Sequence, residues 1–222
     1  MNYELRNITK KYDKTVLDHI SFRLAEGEVY GLLGRNGAGK TTLMKVISGM
    51  IPFDQGDILG NDKVDFFSLV YYVPETPVLL EYLSAFEMLN FVSRMHNKSW
   101  SKEQLYNFMD EQGITSYSND LIINYSHGMK HQVSLAIAFL IKPKILLLDE
   151  PLVSLDPINI QHMRDQLINY ARQGNVVVIS THMIPIAQRV SDEILILSNG
   201  KMTQVSNTFI DNELEKYVIN NI

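Results

Sequence analysis

The chain has 222 residues, 45% of them hydrophobic, enough for one compact unit that buries roughly 70% of its unfolded surface. Its net charge of −5, from 20 Lys and Arg against 25 Asp and Glu, argues against a dedicated nucleic-acid surface. With no cysteine, disulfides and thiolate metal sites are excluded, and the polar start Met1-Asn2-Tyr3-Glu4-Leu5-Arg6 leads into no apolar segment of a secretory signal.

Residues 3–12 and 19–24 alternate in the manner of antiparallel strands, with Glu26-Gly27 as the turn that follows. The apolar run Val29-Tyr30-Gly31-Leu32-Leu33 then reads as a strand. It runs into Gly34-Arg35-Asn36-Gly37-Ala38-Gly39-Lys40-Thr41-Thr42, the glycine-rich loop and helix start of a P-loop. In such a loop the glycines turn successive backbone N–H groups toward phosphate oxygens. Lys40 supplies a point charge for the β and γ oxygens, and Thr41 offers a hydroxyl to Mg²⁺. Nucleotide phosphate is therefore the expected ligand. Residues 56–59 add a strand, and Val70-Tyr71-Tyr72-Val73 another, ahead of Pro74-Glu75.

Beyond this point the periodicity changes. Residues 85–92 and 103–109 repeat their apolar side chains at helical spacing, so residues 76–141 are expected to form a helical subdomain. The apolar stretch from Val133 to Leu148 is interrupted by Ser134 and by Lys142-Pro143-Lys144. It reads as a core helix followed by a core strand and not as a membrane span, so any membrane attachment is expected to come from another polypeptide. Ile145-Leu146-Leu147-Leu148-Asp149-Glu150 is an unbroken apolar run ending in two carboxylates, as suits a buried parallel strand that delivers acids to its carboxyl end. Asp149 is placed to hold Mg²⁺ through its water shell, and Glu150 to polarise an attacking water. Helices near 158–172 and 183–190 alternate with a strand at Val176-Val177-Val178-Ile179. Closing strands at 194–197 and 201–205 flank the Asn199-Gly200 turn, and residues 207–222 make one short helix at most.

This series of motifs resembles the nucleotide-binding subunit of an ATP-binding cassette (ABC) transporter, from about Tyr3 to about Val205. The resemblance implies an α/β fold: a P-loop core with a mainly parallel sheet, an N-terminal antiparallel β region and a helical subdomain. The α/β core and β region would span residues 1–75 and 142–222, with the helical subdomain at 76–141. It also implies roles for further residues. Tyr12 stands where the family stacks an aromatic ring on adenine, although an ordinary strand-end tyrosine fits the same position. Glu75 replaces the family's usual glutamine near Mg²⁺ and adds a negative charge there; a solvated loop residue facing a basic partner is the competing reading.

Tyr125-Ser126-His127-Gly128-Met129 stands where the family signature Leu-Ser-Gly-Gly-Gln would be. Ser126 and Gly128 are kept, and with them a helix N-terminus suited to the γ-phosphate on another subunit. His127 replaces a glycine and Met129 a glutamine. His127 and His131, one helical turn apart, read as a solvated or interfacial face and not as a metal pair. Asp156, in Ser154-Leu155-Asp156, matches the loop through which paired subunits signal, and equally an N-cap before Pro157. His182, beyond the strand ending Ile179-Ser180-Thr181, corresponds to the histidine that contacts the γ-phosphate.

Together these imply a cytoplasmic ATPase that binds ATP and Mg²⁺. It would work as a homodimer or heterodimer and drive a separate transmembrane permease subunit from the inner face of the membrane. Nucleic acid is not an expected partner. The Val-Pro-Glu loop and the Tyr-Ser-x-Gly-Met signature are similar to those of bacterial exporters of drugs, peptides or polysaccharides. The alternative is a soluble ABC-type ATPase that remodels a protein or nucleic-acid complex.

Overall fold

The computed structural model of the chain describes residues 2–60, 64–98, 100–151 and 157–221. It begins with β1 (Asn2–Lys11), β2 (Thr15–Ala25) and β3 (Val29–Leu33), then α1 (Lys40–Ile47), β4 (Gln55–Leu59) and β5 (Val70–Val73). Three helices follow, α2 (Ala85–Met95), α3 (Lys102–Glu111) and α4 (His127–Ile141). The chain then alternates through β6 (Ile145–Asp149), α5 (Pro157–Arg172), β7 (Val176–Thr181) and α6 (Ile184–Val190), and closes with β8 (Glu193–Ser198), β9 (Lys201–Ser206) and α7 (Glu213–Asn221). Two compact units divide it, Met1–Tyr72 with Lys144–Ile222, and Val73–Pro143.

The larger unit carries a six-stranded sheet in the order β5-β6-β7-β3-β8-β9. Strands β6, β7, β3 and β8 run parallel, whereas β8 and β9 form an antiparallel hairpin. β3, β6 and β7 are buried along their whole length, which explains why their sequences are unbroken apolar runs and not alternating ones. A second, antiparallel sheet has the order β2-β1-β4. β2 is longer than the 19–24 stretch legible in the sequence, and the cause is local. His19 adopts a φ of 50° between the inward-facing Leu17 and Ile20, so the period-2 pattern slips by one residue and hides the first part of the strand. Leu5, Ile8, Leu17, Ile20, Phe22 and Leu24 from this sheet join Leu32, Leu43, Leu147 and Val178 in one core. A smaller cluster beneath α7 gathers Leu33, Ala187, Ile194, Ile196, Leu214 and Val218.

The smaller unit is helical, and its helices start where side chains can satisfy free backbone N–H groups. Ser84 with Glu87, and Ser101 with Gln104, form capping boxes at α2 and α3. At the far end of α4 the chain turns through Lys142 at a φ of 57°, and the Lys98 ammonium donates to the carbonyls of Leu140 and Ile141, as the helix C-terminus favours. Tyr125 is buried beneath the start of α4 and donates to the carbonyls of Tyr117 and Asp120. Among the described residues no helix is long and apolar enough to cross a membrane.

Candidate active site

Strand β3 ends at Leu33, and the chain leaves the sheet at Gly34. A Cβ at Gly34 would stand 2.7 Å from the Leu197 carbonyl, so only glycine lets the loop begin this close to β8. At Gly39 the backbone takes a φ of 105°, and a Cβ there would meet Val16 at 2.9 Å. Gly39 is also the N-cap of α1 and has no side chain to bond the first N–H groups of the helix. Those donors stay directed at the loop, which is the arrangement that binds anions. Arg35, Asn36 and Gly37 are exposed around it, and Ala38 and Thr42 half-buried. Lys40 is buried. Its Nζ donates to the Gly34 carbonyl at 2.8 Å and lies 3.4 Å from Glu150 Oε1.

The parallel register pairs Asp149 with Ser180, which brings the ends of β6 and β7 beside the loop after β3. Asp149 is only 2% exposed and accepts three hydroxyl hydrogen bonds. Thr41 donates to Oδ2 at 2.8 Å, Tyr72 to the same oxygen at 2.9 Å, and Ser180 to Oδ1. Such bonds to the charged form offset the cost of burying it. Ser180 Oγ also accepts the backbone N–H of Glu150 at 2.9 Å. Glu150 has a φ of 50°, a left-handed conformation that costs a non-glycine residue of order 1 kcal/mol. Its carboxylate lies 3.1 Å and 3.2 Å from His182 Nδ1. Because an ionised carboxylate only accepts, Nδ1 carries the hydrogen in this pair and Nε2 is left for another partner. Lys40, Asp149, Glu150 and His182 thus meet at the carboxyl ends of the parallel strands, where open α/β sheets bind ligands.

Tyr12 follows β1, is 59% exposed, and has the Lys10 ammonium 5.4 Å from its ring centroid. A cleft of about 560 Å³ runs beside the P-loop, lined by residues 14–16, 35–38 and 197–200. In the helical unit, Ser126 is the N-cap of α4 and accepts the Met129 N–H at 3.3 Å. Ser126, His127 and Gly128 are exposed, as is Glu75. The His127 ring packs edge-on against His131 at 4.6 Å. His131 Nε2 donates to the Glu75 carbonyl at 2.6 Å, and burial lowers the His131 pKa against the opposing effect of that bond. Asp156 lies outside the described residues. Among the described residues no group of three or more His, Asp or Glu side chains could hold a metal.

The sequence profile of the ABC transporter family matches residues 17–153. The chain belongs to the ABC transporter family. It is 35% identical over 217 residues to YhcH of Bacillus subtilis, an uncharacterized ABC transporter ATP-binding protein, covering 94% of this chain and 71% of that one. Similarity also extends to the lantibiotic transport ATP-binding protein SrtF of Streptococcus pyogenes, 30% identical over 204 residues and covering 90% and 88% of the two chains. The linearmycin resistance ATP-binding protein LnrL of Bacillus subtilis is 32% identical over 211 residues, with 91% and 68% covered. A solved structure described as the ATP-binding subunit of an ABC transporter superposes with a TM-score of 0.84 at 26% identity, over 99% of this chain and all of the other. The chain is an ATP-binding subunit of this family, whose members hydrolyse ATP to power transport.

Within this ABC site, the sequence reading did not single out Tyr72 and Ser180. Ser180 carried a signal, being a hydroxyl that follows the run Val176-Val177-Val178-Ile179 inside a fully buried strand; a buried polar group in such a strand needs a partner. Tyr72 carried little, since its partner lies 77 residues away.

Proposed function

We propose that the chain works as one of a pair, with two ATP molecules held between the P-loop of each subunit and the Ser126 region of the other. ATP hydrolysis resets the pair and drives a separate transmembrane subunit, on whose cytoplasmic side this subunit sits. The observation that carries the reading is the placement of Glu150 beside the P-loop, its carboxylate 3.4 Å from Lys40 Nζ and 3.1 Å from His182 Nδ1. Glu150 polarises the attacking water and accepts its proton. Lys40 steadies the transferring phosphoryl oxygens as a point charge, and His182 reaches the same oxygens through an Nε2–H, which together with Nδ1–H on Glu150 requires a hydrogen on both ring nitrogens. Tyr12 supplies an exposed ring for adenine, and Gly34 to Thr42 provide the backbone donors for phosphate.

Thr41 and Asp149 fit Mg²⁺. Thr41 gives its hydrogen to Asp149, so the lone pairs of its oxygen stay available to a hard cation, which Asp149 would help to hold through its water shell. When bound, Mg²⁺ neutralises charge on the β and γ phosphates. Glu75 is assigned to the same water shell from its place in the chain.

Export of a peptide or drug is the favoured direction, because relatives at 30% and 32% identity are named for lantibiotic transport and linearmycin resistance. The test is affinity purification of tagged Glu150→Gln protein with ATP from detergent-solubilised native membranes. A polytopic membrane protein in stoichiometric amount is the expected result. Recovery of soluble partners alone, with ATP-dependent dimers intact, would replace the transporter reading by that of a remodelling ATPase.

A further inference from the structure

The three hydroxyls on Asp149 are not equivalent. Thr41 belongs to the P-loop helix, and Ser180 binds Asp149 Oδ1 while also accepting the Glu150 N–H. Tyr72 has no part in the hydrolysis described above, yet its phenol shares Oδ2 with Thr41, at 2.9 Å and 2.8 Å. A carboxylate offers about four lone-pair directions. These three bonds occupy three of them and leave little freedom to the carboxylate plane. Tyr72 is half-buried on β5, its ring packed against the main core, so the hydroxyl is delivered by a fixed element. It is also the last residue of the larger unit before the chain passes into the helical one, three residues ahead of Glu75.

We propose that Tyr72 is a positioning residue for cation binding: its hydroxyl fixes the Asp149 carboxylate, and through the shared Oδ2 sets the direction in which Thr41 presents its oxygen. The proposal rests on the reading of Thr41 and Asp149 as the Mg²⁺ residues. Ring packing and hydroxyl function separate cleanly, because Tyr72→Phe keeps the ring and removes only the donor. Without the phenol, Asp149 retains Thr41 and Ser180 and remains buried, but its plane is free to turn.

The experiment uses the full chain and three proteins: parent, Tyr72→Phe and Asp149→Asn. Mn²⁺ serves as the probe, its binding to the ATP-loaded protein followed by electron paramagnetic resonance, and ATP affinity is measured separately in chelator. Tyr72→Phe is expected to weaken Mn²⁺ binding roughly tenfold, the scale of one hydrogen bond to a charged group, while metal-free ATP affinity and the unfolding midpoint stay near the parent values. Asp149→Asn is expected to weaken Mn²⁺ further. If Asp149→Asn keeps parental Mn²⁺ affinity, the underlying site assignment fails. If Asp149→Asn loses it but Tyr72→Phe does not, the positioning role is overturned with the site intact. A parallel loss of metal-free ATP affinity or of folding in Tyr72→Phe makes Tyr72 a packing residue and also overturns it.

Discussion

Glu150 sits between a lysine and a histidine and in a left-handed backbone conformation. A structural carboxylate would gain nothing from that strain, whereas a general base held ready beside a phosphate-binding loop does. Glu150→Gln keeps the shape and the hydrogen bonding to His182 but removes the proton acceptor. It is expected to lower steady-state ATP turnover by roughly 10²–10⁴-fold with ATP affinity nearly unchanged, as phosphate release and equilibrium nucleotide binding will report. Lys40→Ala should instead lose both, because the buried ammonium serves the ground state and the transition state alike. If Glu150→Gln hydrolyses ATP like the parent, another group is the base. At this scale the sequence displayed Lys40, Thr41, Asp149, Glu150 and His182 because each ends or directly follows an apolar strand, or opens a helix. It concealed Tyr72 and the His131 bond to the Glu75 carbonyl, since such partners are chosen by tertiary proximity and leave no local pattern.

Elements were legible to the extent that burial is two-sided or strictly periodic. β3, β6 and β7 are continuous apolar runs and stand where expected, and the β8–β9 hairpin surrounds its Asn199-Gly200 turn. The first half of β2 was lost to the positive φ at His19. The turn between β2 and β3 also carries an electrostatic cost that no motif announces. Burial first, and then the neighbouring Asp192 and Glu193, raise the Glu28 pKa, only partly opposed by Arg172. A carboxylate whose folded pKa is raised contributes stability below the ordinary glutamate value of 4.5 and loses it as pH rises through the folded pKa. At neutral pH Glu28 is therefore a net cost. Glu28→Gln is expected to raise the unfolding midpoint at pH 7, with the difference shrinking toward zero below about pH 4. A gain that is independent of pH would assign the effect to packing.

For the molecule as a whole, the energy of hydrolysis must leave the subunit through a surface, and the loop before α2 is the candidate. Val78 is 86% and Tyr82 79% exposed, with Leu80 exposed between them, whereas Leu79 and Leu83 are half-buried. In the sequence, Val78-Leu79-Leu80-Glu81-Tyr82-Leu83 is unusually apolar for a loop, but a loop has no period from which to tell outward from inward residues. The alternation separates two functions in adjacent positions. Side chains at 79 and 83 hold the loop, and those at 78, 80 and 82 offer apolar area at a density that a partner, and not water, would favour. Tyr82→Asp and Val78→Asp should leave basal ATPase and unfolding midpoint close to the parent and abolish co-purification with the membrane subunit. Leu79→Asp should lower the midpoint of the helical unit instead, because it places a charge at a half-buried apolar position. Equal loss of ATPase and stability in all three would make the loop part of the helical core and leave the coupling surface elsewhere.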